Sequence, residues 1–322
     1  MKYSETVNIT LDDIKAAADR IKNRVRCTPC LKTNFCRTPI HPNLMLKLEC
    51  LQVTGSFKAR GANNAVLSLS NQEIQRGIIT ASGGNHGIAV AYAGYRSKVN
   101  TLIYLPKNVA KAKVASLKNW GAKVVLVGDV WDEANAAALD RAKKEKMTYI
   151  HPFADPKVIA GQATIAYEML CNSPYIDVII AGIGGGGLIS GVALAAKAMK
   201  PEIRIVGVEP VGAPTLQTSV KSNAVTVLDQ INTQAITLAP KQSTAINLDL
   251  VTRLVDEIVL VDDESMHEAS AWLFEEMGIA AELSGAAALA ALQMGLVPVP
   301  VDQTVAAIVC GRGFDGKSRL ST

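Results

Sequence analysis

Along this chain, short apolar runs alternate with longer stretches in which apolar residues return every three or four positions. Ile14, Ala18, Ile21 and Val25 recur at helical spacing, and Thr10 followed by Asp13 reads as an N-cap with an acidic third position. This predicts a first helix ending near Arg26. "LMLKLEC" (44–50) has the alternation of a strand, and "SFKARGANNAVLSL" then resumes helical periodicity. From there "GIITAS", "NTLIYLP", "KVVLVGD" and "MTYIHPF" read as strands separated by the helical segments "GIAVAYAGYRS", "KAKVASLKNW" and "WDEANAAALDRAKKE". That is the strand–helix–strand rhythm of a parallel sheet.

The rhythm resumes after a helix at "KVIAGQATIAYEML", with "DVIIAGIG", a helix over 188–199 and "IRIVGVEP". "DVIIAGIG" and "TVAAIVC" are apolar without alternation, as strands buried on both faces are. The segment 211–250, rich in Thr, Gln, Asn and Pro, reads as part loop and part helix. The fold expected is α/β, with two sets of strand–helix units forming two lobes around a cleft.

Charge removes several functions from consideration. Lys and Arg exceed Asp and Glu by four (33 against 29), with no basic block, so no footprint for nucleic acid is present. The N-terminus lacks an apolar run after its charges, and no window of 18 uninterrupted apolar residues follows. A cytoplasmic protein acting on a small molecule is expected. Its six cysteines are then expected as free thiols. Cys27 and Cys30 form C-x-x-C, but Cys36 and Cys50 follow at spacings unlike a zinc site, so small buried hydrophobes are the better account.

Three loops carry candidate chemistry. In "AGIGGGGLISG", Gly184, Gly185, Gly186 and Gly187 stand between a buried strand and a helix, where glycines can turn N–H groups toward an anion. A G-x-G-x-x-G match over 182–187 followed by Glu209 also suits a dinucleotide, although this loop lies several strand–helix units into the chain. In "ASGGNHG", Ser82, Gly83, Gly84 and Asn85 can present donors to a carboxylate or phenolic oxygen, while His86 at a helix start is the mark of a structural histidine more than of a base. A formal P-loop match over 311–318 has only residues 319–322 after it, too few for the helix it requires. Lys58, in "LQVTGSFKARGANN", is either a solvated helix-start cation or an amine held for chemistry.

Taken in order, "TGSFKARGA", "SGGNHG", "FADPKVIAGQATIAYEML", "GGGGLISG" and "ELSGAAALAAL" resemble the fold-type II pyridoxal-phosphate enzymes, specifically the serine/threonine dehydratase and serine racemase family. The resemblance covers nearly the whole chain. It implies a two-lobed, tryptophan synthase β-like α/β fold with parallel-rich open sheets and helices on both faces. A large cofactor-binding domain (1–66 and 152–322) and a small domain (67–151) closing over the substrate are implied, as is a homodimer. Lys58 would carry the cofactor as a Schiff base, its amine kept neutral by desolvation and by cations such as Arg60. Phe57 would pack near the ring, and Asn85 would bond the phenolic oxygen. Gly184, Gly185, Gly186, Gly187 and Leu188 would hold the phosphate. Cys310 would face the ring nitrogen. Ser82, Gly83, Gly84, Asn85 and His86 would form the substrate site.

A neutral ring-nitrogen partner makes the ring a weaker electron sink, which suits β-elimination. The implied reaction removes the Cα proton with Lys58 and expels the β-hydroxyl of a small amino acid, L-threonine or L-serine, giving a 2-oxo acid and ammonia. 3-Hydroxyaspartate is another candidate substrate. The chain also departs from the family pattern. Gly83 stands where racemases carry a second serine, which disfavours racemisation. The family's divalent-metal position maps to Glu209 and the carbonyl of Ala213, but Thr215 replaces the usual Asp. "CGRGFDG" replaces "SGGN", and "AELSGA" replaces "EPSGA". The chain ends soon after this segment, so no C-terminal effector domain is expected. A racemase, a sulfur-dependent β-replacement synthase and a binding protein without chemistry remain the competing readings.

Overall fold

The computed structural model describes residues 8–313. Among the described residues, ten strands form two sheets. They are β1 (Cys30–Lys32), β2 (Leu44–Lys47), β3 (Ile78–Ala81), β4 (Thr101–Leu105), β5 (Lys123–Leu126), β6 (Thr148–Tyr149), β7 (Val178–Gly182), β8 (Arg204–Pro210), β9 (Glu257–Val261) and β10 (Val305–Ile308). The larger sheet has the order β1-β2-β10-β7-β8-β9, and the smaller β5-β4-β3-β6. Every pairing is parallel except that of β1 with β2.

The continuous apolar strands are covered on both faces. Ile179, Ala181, Ala306 and Ile308 point into one core with the helices Leu11–Ile21, Pro156–Asn172, Gly187–Met199 and Ala245–Leu254. Their strand neighbours Val178, Ile180, Val305 and Ala307 point into a second core beneath the helices Asp263–Met277 and Leu283–Gln293. Alternate residues of one strand thus serve opposite layers, which is why no polar position interrupts them.

Strand order positions the site. β2, β10 and β7 are adjacent, so the segments leaving their C-terminal ends converge: the Lys58 segment after β2, Cys310 after β10, and the glycine loop after β7. Ligands of open parallel sheets bind at such ends. The C-terminal end of β3 in the other sheet contributes residues 82–85 from across the cleft.

Several expectations need correction. The first helix ends at Ile21, not near Arg26, although its Thr10–Asp13 capping box forms. Ile21 is the last residue of its buried face, and past it the Arg24 carbonyl accepts from Tyr92 and its guanidinium donates to Arg96, which draws the chain away. The cysteines are not uniformly buried: Cys27 and Cys171 are exposed, Cys30 and Cys36 half-buried, and only Cys50 and Cys310 buried. Cys27 lies in the open turn between the first helix and β1, and Cys30 on edge strand β1, so neither reaches a core. The segment 211–250 is part helix and part loop as expected, with helices Thr215–Ser222 and Ala245–Leu254 and a short 3-10 turn, Ile236–Leu238, between them. Most of the P-loop match at 311–318 lies outside the described residues.

Candidate active site

Lys58 opens the helix Lys58–Leu67, and a backbone bond fixes where it opens. The Phe57 N–H donates to the Cys310 carbonyl (3.1 Å), and Ser56 bridges Gly311, tying the segment to the end of β10. The Lys58 Nζ reaches across the cleft floor to donate to the Pro152 carbonyl at 2.8 Å and lies 4.9 Å from the Phe57 ring centroid. Burial lowers the amine from 10.5 to about 8, and the nearby Cys310 and Glu282 oppose that shift.

Arg60 does not take part in that lowering. Two residues further along a helix, it points roughly 200° away and is buried in an ion network with Glu49 (2.7 Å) and Glu168 (2.9 Å). Lys47 also pairs with Glu168, and Thr28 donates to Glu49. Two carboxylates neutralise the two cations, so the network anchors the start of the Lys58 helix without charging the cleft. Glu49 and Gln52, which bonds the Arg26 backbone, belong to this scaffold and carry no signal in the sequence beyond their nearness to Lys58.

The glycine loop is built for close approach. Gly186 has φ +98°, and a Cβ on Gly185 would stand 2.3 Å from the Phe153 ring. Its carbonyls are fixed from behind. Asn247 donates to the carbonyls of Gly185 (3.0 Å) and Phe153 (3.1 Å), Ser243 donates to Gly185, and Ser190 holds the Asn247 oxygen. No side chain caps the helix Gly187–Met199, so its first-turn N–H groups, including that of Leu188, face the cleft without partners from the helix. Such an array suits a phosphate. Asn247, Ser243 and Phe153 were missed by sequence reading because they lie far along the chain from the loop they hold.

Opposite, Gly84 starts the helix Asn85–Ser97, again with no side-chain cap. Ser82 accepts from the Gly84 N–H at 3.3 Å. The Asn85 Nδ2 donates to Glu282 at 2.6 Å. Burial raises the Glu282 carboxyl, and its hydrogen bond with Asn85 opposes this. The His86 imidazole is buried against Thr80 (3.1 Å) and the Ile150 carbonyl (3.0 Å), and burial lowers it to about 3. It is a neutral structural group, which leaves only its backbone N–H for a ligand.

Cys310 is buried, its thiol is pushed up by burial and donates to the Ser284 carbonyl at 3.3 Å. It therefore stays a neutral thiol. Nearby, among the described residues, the buried hydroxyls of Thr54 and Ser56 make no hydrogen bond. An amine with a lowered pKa, an uncapped glycine loop and a neutral thiol converge at the ends of adjacent strands.

A protein-family model for "Pyridoxal-phosphate dependent enzyme" matches residues 21–311. The chain belongs to this family. It is 38 % identical over 284 residues to an L-threonine ammonia-lyase of Thermotoga maritima, covering 88 % of this chain and 71 % of that protein. It is also 38 % identical over 284 residues to a serine racemase of Arabidopsis thaliana, covering 87 % and 84 %. Maize serine racemase superimposes with a TM-score of 0.89 at 33 % identity, over 96 % of this chain and 95 % of that one. The fold is accordingly that of the fold-type II pyridoxal-phosphate enzymes, and pyridoxal phosphate is the cofactor that the cleft residues fit.

The divalent-metal position fits less well. The Glu209 carboxylate is wholly buried and accepts from the N–H groups of Leu216 and Gln217, both at 2.8 Å, capping the helix Thr215–Ser222. The Thr215 hydroxyl donates to Pro240, and the Ala213 carbonyl receives the Thr215 N–H. Each of these oxygens already takes part in a hydrogen bond, and no cluster of three His, Cys, Asp or Glu stands among the described residues. The same burial removes Glu209 as a ribose ligand, and with it the dinucleotide reading. No helix among the described residues is long and apolar enough to cross a membrane.

Proposed function

We propose that this protein is a pyridoxal-phosphate-dependent ammonia-lyase that dehydrates and deaminates a small β-hydroxy amino acid, L-threonine or L-serine, to a 2-oxo acid and ammonia. The observation that carries it is the Lys58 amine, lowered to about 8 and set beside Cys310, with the glycine loop and residues 82–85 on either side. Pyridoxal phosphate supplies the carbonyl that joins the amine and a ring that takes up electrons from Cα.

The chain's own groups do the rest. N–H groups of Gly185, Gly186, Gly187 and Leu188 hold the phosphate, and the Cys310 thiol meets the ring nitrogen without charging it. Asn85 donates to the phenolic oxygen. The first-turn N–H groups at residues 85–87, with Ser82, hold the substrate carboxylate. Lys58 takes the Cα proton from its own face. Gly83 offers no acid on the opposite face, which favours elimination over racemisation, the two activities named among the relatives. We place the protein in the cytoplasm, as a homodimer in which residues 67–151 close over the substrate.

The test is an absorbance spectrum of wild type and Lys58→Ala, with a 2-oxo-acid assay over L- and D-serine, L-threonine and 3-hydroxyaspartate. A visible cofactor band lost in the variant, with keto acid from one panel member, is the expected outcome. Cofactor binding without keto acid would move the reaction to racemisation or replacement.

A further inference from the structure

Three loops rim the cleft from the smaller sheet, and they are tied to one another. The Lys107 N–H donates to the Gly128 carbonyl at 2.9 Å, and the Asn108 side chain to the Asp129 carbonyl at 3.1 Å. These bonds join the loop after β4 to the loop after β5. Trp131, the first residue of the helix Trp131–Glu145, then reaches past β4 and donates its indole N–H to the Ala81 carbonyl at 2.9 Å. Ala81 is the last residue of β3, so the bond falls immediately before Ser82.

The position of that bond matters more than its strength. Beyond Ala81 the chain turns through Ser82 and Gly83 into a helix start whose N–H groups have no side-chain cap. A side chain at residue 87 is excluded because the Ser82 carbonyl would stand 1.9 Å from its Cβ. The turn is thus packed closely on itself, and its aim depends on how its two ends are held. His86 pins the far end to Thr80 and Ile150, and Trp131 holds the near end. Trp120 packs edge-on against Tyr92 and Tyr95, and Trp272 is buried with its N–H on Thr38. Trp131, by contrast, keeps 46 % of its surface exposed. Apolar burial does not account for an aromatic there, whereas a directed N–H does.

We propose that Trp131 is a positioning residue for substrate carboxylate recognition, acting through Ala81 to aim the N–H groups of residues 82–87. The proposal rests on the reading of that turn as the carboxylate site. Because the Trp131 N–H is given to Ala81 and not to Lys58 or the glycine loop, it sets affinity for the amino acid and leaves proton removal and cofactor retention alone.

The experiment compares holoenzyme of wild type and Trp131→Phe, titrated with L-serine and with ethanolamine, which has the same amine and hydroxyl but no carboxylate. Binding is followed by the change in cofactor absorbance, and turnover by keto-acid release. Trp131→Phe is expected to weaken L-serine binding and raise KM about three- to tenfold, with kcat within twofold and ethanolamine binding unchanged. Equal weakening toward both ligands, a fall in kcat at constant KM, or loss of cofactor from the variant would each make Trp131 merely structural and overturn the proposal. A wild type that binds both ligands alike would remove the carboxylate site and the parent reading with it. A wild type that prefers L-serine, with a variant keeping that preference, would overturn the role of Trp131 alone.

Discussion

The Asn85 amide donates to the Glu282 carboxylate at 2.6 Å, and that bond joins a loop of the smaller sheet to a helix start of the larger one. Glu282 is held in turn: its N–H donates to the Gly311 carbonyl at 3.2 Å, and a Cβ on Gly311 would stand 2.5 Å from its Oε1. One amide hydrogen of Asn85 is thus committed to the large sheet, and in the proposed function the other would point at the phenolic oxygen of the cofactor. Glu282 sets the orientation of the Asn85 amide.

Replacing Glu282 therefore grades with what is removed. Gln keeps an acceptor and loses the charge, exchanging a charge-assisted bond for a neutral one at a cost of about 1 kcal/mol, or roughly fivefold in kcat/KM. Ala leaves Asn85 unpaired and its orientation unset, at about 2 to 3 kcal/mol, or roughly 30- to 150-fold. Steady-state kinetics at pH 8 separate these outcomes. Equal losses in the two variants would show that the charge, not the bond, is what matters.

Lys58 makes a pH prediction whose sign is fixed. Burial lowers its amine to about 8, so the neutral, nucleophilic form grows as pH rises through that value rather than through 10.5. Reconstitution of cofactor-free enzyme with pyridoxal phosphate, followed by growth of the visible band, is expected to reach half its limiting rate near pH 8. Lys58→Ala forms no band at any pH. A half-point near 10 would show that the amine is solvated.

Gly83 offers a gain of function. A Cβ there meets Leu105 Cδ2 at 3.2 Å and Val109 Cγ2 at 3.5 Å, ends of side chains that can shift by a few tenths of an ångström, and the backbone does not require glycine. Gly83→Ser is expected to fold with about 1 kcal/mol lost to crowding and to acquire racemisation, because it restores the serine that the resemblance assigns to the opposite face in racemases. Chiral chromatography of serine recovered from wild type and variant reads this directly. Racemisation by wild type at the level of the variant would place the second acid elsewhere.

Much of this site was legible because its parts are local. The glycine loop, the "SGGN" turn and Lys58 each announce themselves within a few residues, since a phosphate cradle or a helix start is made by consecutive backbone groups. What was not legible is long-range. Nothing near Arg60 tells that Glu49 and Glu168 absorb its charge, and the first helix gives no sign at Ile21 that Tyr92 will take the Arg24 carbonyl. Asn247 holds a loop some sixty residues before it (Nδ2 to the Gly185 carbonyl, 62 residues apart). Trp131 reads as one more apolar position at a helix start. In each case the local sequence specifies the element, and packing decides which partner its polar atoms meet.

Glu209, at the position where the resemblance maps a divalent metal, caps a helix, and its titration separates the two roles. Burial raises its carboxyl from 4.5 to about 7, while the Leu216 and Gln217 N–H groups oppose the shift. A carboxyl whose folded value lies above its unfolded one contributes stability that is fully present below pH 4.5 and is lost as pH rises through 7. Glu209→Gln carries no such proton. The difference in unfolding free energy between wild type and variant should therefore move toward the variant by on the order of 3 kcal/mol between pH 4 and pH 8, read from urea melts at the two values. With the carboxylate spent on two N–H groups, millimolar Mg²⁺ or a chelator should leave the melting temperature of wild type unchanged. A melting temperature that climbs with Mg²⁺ in wild type but not in Glu209→Gln would mean that the cation takes the carboxylate from the helix, and would restore the metal site.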